Sequence, residues 1–234
     1  MINQLANAGT HDSAWKSLYR VGGVAALITA VLIPIHVILF VVWPPPLEGT
    51  ASDWFMVFQD NWLLGLLSMD LLLLIDYVLL VPIVLALYGA LREVSESFMA
   101  MGVALFFVAI AAYFASNTAF EMLSLSDQYT AATTESQRSE LLAAGQAMLA
   151  TYTGTAFHLN YLLGSLAGIT ISAVMLRSNT FGRVTAYAGI LGNVVGLGLY
   201  VPTIGLFLSV VSGPVLWIWY ILIGRRLLQL GRMR

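Results

Sequence analysis

Residues 63–82 read LLGLLSMDLLLLIDYVLLVP. A helix of about 20 apolar residues crosses the hydrocarbon core of a bilayer, and this leucine-rich run is long enough, with its only proline at the last position. In lipid the backbone must satisfy its own hydrogen bonds, so a chain with several such runs and no alternating strand pattern is an all-α membrane protein. The run also carries Asp70 and Asp76. Insertion scales charge about 2.5–3.5 kcal/mol for a central Asp and return a few tenths per Leu, so the helix inserts with both. Insertion tolerates the two carboxylates without explaining them.

The rest of the chain agrees with that class. It is 59% hydrophobic and 9% charged, against about 25% charged in soluble domains, and its mean hydropathy is +0.87. Cysteine is absent, which excludes disulfide stapling and thiol chemistry. The first twenty residues are polar and lack the short apolar core of a cleaved signal peptide, so the first span is expected to stay as an anchor. Apolar runs predict six spans, at about 21–43, 62–91, 98–122, 153–176, 184–208 and 214–228, within one integral membrane domain covering 1–234. No internal repeat relates 1–122 to 123–234.

Lysine and arginine set the orientation. Lys16 and Arg20 precede the first span, and Arg92 lies between the second and third. Arg177 and Arg183 lie between the fourth and fifth, and Arg225, Arg226, Arg232 and Arg234 follow the sixth. Only Arg138 falls on the other side. Both termini are therefore expected in the cytoplasm, which also requires an even number of spans.

The two longer loops then face outward, each with a short amphipathic helix. In WPPPLEGTASDWFMVFQDNW, three prolines stop the first span, Ser52 or Asp53 is expected to cap a helix, and Trp54, Phe55 and Phe58 suit the headgroup interface. In TTESQRSELLAAGQAMLATY, Thr134 and Gln137 fit a capping box. Leu141, Leu142, Met148, Leu149 and Tyr152 share one helical face, which predicts a helix from about 134 to about 149 lying on the bilayer or over the bundle. Small residues four apart mark candidate close crossings: Gly22, Ala26 and Ala30; Gly164 and Gly168; Ala188, Gly192 and Gly196.

Two segments, PIVLALYGALR (82–92) and WIWYILIGRRLLQLG (217–231), together with this layout, resemble an uncharacterised bacterial family of small six-span integral membrane proteins, a domain of unknown function. The resemblance implies a six-helix bundle in a bacterial plasma membrane and transfers no catalytic residue.

Depth brings the polar residues together. At about 1.5 Å per residue, Asp70 lies roughly 12 Å below the outer end of the second span, His36 about 10 Å below that of the first and His158 about 8 Å into the fourth. Glu121 sits near the outer end of the third, with Asn117 one turn below it on the same face. Asp76 lies deeper, with Thr170 and Asn193 as candidate partners. A structural role is open to each, because polar side chains hydrogen-bond across helices and fix packing. Two histidines and two carboxylates at one depth on four helices favour a shared pocket.

The pocket admits three readings. His36, Asp70, Asn117, Glu121 and His158 are expected to bind a small amphipathic molecule or lipid, held by its polar end and moved or presented. A membrane-embedded metal-dependent hydrolase is the alternative, since histidine and carboxylate ligands suit a divalent ion; His36 and His158 could instead clamp a haem. In the third reading the chain is a structural or accessory subunit, partnered by a second copy or another membrane protein. Retinal is excluded, since the only lysine, Lys16, lies outside the spans. A rhomboid-type serine site is excluded because no histidine comes after His158, and the HExxH and phosphate-loop motifs are missing. The C-terminal arginines suit topology and anionic lipid rather than nucleic acid.

Overall fold

The computed structural model describes the backbone of residues 2–232 and the side chains of 15–205 and 207–232. Arg234, counted above for orientation, lies outside the described residues. The protein is an all-α helical bundle, with no strand among the described residues. In chain order the helices are α1 (Ile2–Val42), α2 (Ala51–Asp60), α3 (Trp62–Ser68), α4 (Leu71–Leu91), α5 (Glu96–Ser116), α6 (Ala119–Ala131), α7 (Glu135–Tyr152), α8 (Thr155–Leu176), α9 (Arg183–Gly196) and α10 (Gly205–Arg232). A 3-10 turn, Leu197–Tyr200, follows α9.

Among the described residues, five segments are long and apolar enough to cross a membrane: Trp15–Val42, Leu71–Leu91, Glu96–Ala131, Glu135–Leu176 and Phe207–Arg232. The stretch expected as a fifth continuous span, 184–208, is instead interrupted. Helix α9 has 14 residues, about 21 Å at 1.5 Å each. Beyond the 3-10 turn come Pro202, which has no N–H to give, and Thr203, whose φ of 72° lies in the left-handed region. The last helix accordingly begins at Gly205 rather than at Pro214, which α10 contains within its length.

The chain divides into two compact units. One comprises residues up to Ile33 with Tyr77–Ala109 and Tyr161–Arg234; the other comprises Pro34–Asp76 and Ile110–Asn160. In the first unit, Gly22 and Gly23 let α1 approach two helices. A Cβ at Gly22 would lie 2.7 Å from the Pro82 carbonyl oxygen of α4. One at Gly23 would lie 2.9 Å from the Leu228 backbone nitrogen of α10. Ala26 and Ala30 continue that buried face. Gly168 packs on the Asn193 side chain and Gly192 on Leu216, whereas the nearest atom to a Cβ on Gly164 would be 3.7 Å away. Pro34 leaves the Ala30 carbonyl without its usual donor within α1, and the Trp217 indole Nε1 of α10 donates to it at 2.6 Å. Tyr161 ties down the end of α9: its hydroxyl donates to Gly196 O at 3.0 Å and lies 2.7 Å from Ser209 Oγ.

The second unit is built around α2. Its N-cap is Thr50, not Ser52 or Asp53. Asp53, at the third helical position, reaches back to accept from Thr50 N at 2.6 Å and Thr50 Oγ1 at 2.8 Å; these bonds hold its carboxyl below the usual aspartate range. Trp54, Phe55 and Phe58, whose composition suits a headgroup interface, are buried instead, clustered with Leu66, Met69, Ala119 and Met122. Burying each such ring is worth about 1.5–3 kcal/mol relative to water.

Helix α7 lies where the sequence predicts an amphipathic loop helix. Thr134 Oγ1 accepts from Gln137 N and Gln137 Oε1 accepts from Thr134 N, both at 3.3 Å. Leu142, Met148, Leu149 and Tyr152 pack on the α2 cluster. Leu141 faces an open groove of about 530 Å³ shared with Gln128, Gln137 and Glu140. Thr134→Ala should cost about 0.5–2 kcal/mol of helix stability, read as faster amide exchange confined to the first turn of α7.

Candidate functional site

The second unit holds the polar constellation, and a broken helix makes it. The run 62–91, expected as one helix, stops at Ser68 and restarts at Leu71. Between them Asp70 adopts φ 67°, one of two non-glycine residues with positive φ among those described. Aspartate tolerates this region better than most residues, because its short side chain can hydrogen-bond locally. Such a conformation still costs about 1–3 kcal/mol and persists only where its surroundings over-determine it.

Those surroundings are three side chains. The Tyr152 hydroxyl, at the end of α7, donates to Asp70 Oδ2. His36 Nε2, from α1, stands 3.4 Å from Asp70 Oδ1. Asn117 Nδ2 donates to the Met69 carbonyl at 2.9 Å, and its Oδ1 accepts from Ala119 N at 3.2 Å. Asn117 lies in the break between α5 and α6, so one amide satisfies backbone groups freed by two interrupted helices. The neighbouring Thr118 donates through Oγ1 to Met148 O of α7 at 3.3 Å. Irregular backbone at membrane depth is tolerated where protein buries it and satisfies it. Asn117→Leu should cost about 1–3 kcal/mol, the usual penalty for orphaning a buried backbone carbonyl, measurable as a lower melting temperature in detergent. Asn117→Asp should recover little, because it removes the donor to Met69.

Of the five residues expected to share a pocket, the structure brings three together: His36, Asp70 and Asn117. Glu121 is exposed in the first turn of α6, where a carboxylate favours the positive end of the helix dipole. His158 is exposed in the first turn of α8, its ring edge-on to Phe157 at 5.5 Å. Asp76 is buried in α4. Its two candidate partners bond within their own helices, Thr170 to Leu166 O at 2.8 Å and Asn193 to Gly189 O at 2.7 Å. Tyr152 is the site residue that depth counting misses. Its spacing assigns it to the apolar face of the loop helix. The polar tip of a buried tyrosine, which ordinarily finds a partner, is the signal that could have found it.

The space beside the site is small. His36, Phe40, Trp43, Leu64 and Ser68 help line a void of about 10 Å³, room for about one water. His36 Nδ1 is buried with no hydrogen-bond partner, and its ring stacks against Phe40 at 6.2 Å between centroids. A haem clamped by His36 does not fit that void. Among the described residues no three His, Asp or Glu side chains converge as a metal would require, whereas catalytic zinc sites take three protein ligands.

Comparison with known protein families, characterised proteins and solved structures finds no match. The resemblance of 82–92 and 217–231 to a six-span bacterial family therefore adds nothing to the assignment of the site, which rests on its own geometry.

Proposed function

We propose that this chain is a multi-pass membrane protein that binds a small amphipathic molecule with its polar end at Asp70, and moves it or presents it. The observation that carries this reading is the strained carboxylate at a break in an apolar helix, held by side chains from two other helices. Helices that merely pack gain their cross-links from polar groups on regular backbone. A left-handed aspartate at membrane depth costs stability, and such strain clusters at functional sites. Interrupted membrane helices form solute sites because their freed backbone groups and side chains converge there. The void admits about one water, so the solute's body enters when α7, latched by Tyr152, moves aside. The cation distribution supports cytoplasmic placement of both termini and a site toward the outer face, which requires α9 and the turn after it to complete a sixth crossing beside the five long apolar segments.

Native mass spectrometry of the protein purified in mild detergent tests this. Wild type should carry a small molecule or lipid that Asp70→Asn loses. If neither protein carries one, or both carry it equally, the reading fails and the chain is better understood as a structural or accessory subunit.

A further inference from the structure

The turn after α8 carries a cation that the rest of the protein leaves unused. Arg177 is the first residue past the apolar segment ending at Leu176. Among the described residues its guanidinium makes no hydrogen bond or ion pair, and neither Glu93 nor Glu96, the acidic residues where α4 gives way to α5, reaches it. The turn itself is fixed. Ser178 Oγ donates to Met175 O at 2.9 Å and accepts from Phe181 N at 3.4 Å. Phe181 is buried, and Arg226 Nε of α10 donates to Thr180 O. Arg177 stands at one end of a groove of about 210 Å³ between α5 and α8, in the first unit, whose other lining residues are Phe98, Ile169, Thr170, Ala173 and Val174. Gly102, one turn on from Phe98, lets α5 approach α8: a Cβ there would lie 2.9 Å from Ile171 Cγ1. Thr170 spends its hydroxyl on Leu166 O at 2.8 Å. The groove is therefore apolar along its length and cationic at its end.

We propose that this groove seats one acyl chain of an anionic phospholipid whose phosphate is held by Arg177. A guanidinium binds phosphate through two parallel N–H···O bonds and sheds its water more readily than an ammonium. Its place just beyond the end of an apolar helix is the level at which lipid headgroups lie. Pockets that enclose a small ligand run to about 300–1,000 Å³; this groove is smaller and open, so it takes part of a chain while the rest stays in the bilayer. Arg183 and Arg225, exposed in the same unit, add to the positive field. A zwitterionic lipid offers the same phosphate, but its own ammonium offsets that attraction. The site is separate from Asp70, which belongs to the second unit, and does not depend on the solute proposed there.

The test uses the full chain in mild detergent, incubated with equal amounts of dioleoyl phosphatidylglycerol and dioleoyl phosphatidylcholine. Native mass spectrometry counts the lipids that stay bound. Wild type should keep one phosphatidylglycerol in preference to phosphatidylcholine by about tenfold, the worth of hydrogen bonds to a charged group. Arg177→Gln should abolish that preference. Ala173→Trp, which fills the groove without touching the charge, should lose the bound lipid. Arg183→Gln removes the same charge six residues further on, away from the groove, and should keep it. Asp70→Asn should also keep it, which separates this lipid from the solute of the second unit. Equal retention of the two lipids by wild type would overturn the proposal. So would equal losses in Arg177→Gln and Arg183→Gln, which would mean surface charge in general, or a lipid still held by folded Ala173→Trp. If Ala173→Trp does not fold, the two arginine variants decide.

Discussion

Gly23→Ala should lower the melting temperature of the purified protein, and Gly164→Ala should raise it, although both place one methyl on an apolar helix. At Gly23 the new Cβ would meet backbone: the Leu228 nitrogen at 2.9 Å and the Gly224 carbonyl oxygen at 3.0 Å. Backbone of a packed helix does not swing away as a side chain can, so α1 and α10 must separate. Overpacking of this kind costs about 1–3 kcal/mol, roughly 2–12 °C for a chain of this size. Gly23→Leu should prevent folding. At Gly164 the nearest atom is the Ala109 Cβ at 3.7 Å, ordinary contact. There the gain in helix propensity, up to about 1 kcal/mol, is realised. Thermal unfolding in one detergent for both variants checks the signs. Two shifts of the same sign would mean that close backbone approach does not hold α1 in place.

Asp70→Leu should be the most damaging single change in the second unit. It removes the acceptor of the partly buried Tyr152 hydroxyl, an orphaning that costs about 1–3 kcal/mol, and puts a bulky residue in a left-handed conformation at about 1–2 kcal/mol more. Asp70→Gly separates the two contributions: it relieves the backbone but still orphans Tyr152, so it should lie between wild type and Asp70→Leu. Tyr152→Phe added to Asp70→Gly should then recover stability, since no buried hydroxyl is left without a partner. Melting temperatures of the four proteins decide this. Asp70→Leu as stable as wild type would show that the left-handed break imposes no strain.

The helices are legible where their signals are local. Thr134 and Gln137 stand three apart before an amphipathic stretch, and the reciprocal cap forms as that spacing requires. The all-α membrane class comes from apolar length alone. The break at Asp70 is not legible, because Ser68, Met69 and Asp70 include neither glycine nor proline. The left-handed turn is imposed by partners more than thirty residues away along the chain. Depth counting at a fixed rise assumes unbroken helices, and this chain breaks at Met69–Asp70, Asn117–Thr118 and Thr153–Gly154. Each break resets the rotation of the next helix, which is why Asp70 meets His36 as expected while Glu121 and His158 turn outward. The aromatic residues of α2 could not be assigned from composition, since a ring that anchors at an interface and a ring that fills a core look alike in sequence.

The Trp217–Ala30 hydrogen bond carries a consequence for biosynthesis. The two residues stand 187 positions apart, so the donor in α10 leaves the ribosome long after α1. Until α10 inserts, the Ala30 carbonyl exposed by Pro34 has no protein partner in a medium that offers no water. The Gly23 crossing likewise has no second helix. Helix α1 therefore enters the membrane incomplete and is finished only when α10 arrives. A truncated product or a stalled nascent chain would present a bare carbonyl and a glycine notch to the lipid, features by which membrane quality control could tell it from the finished protein.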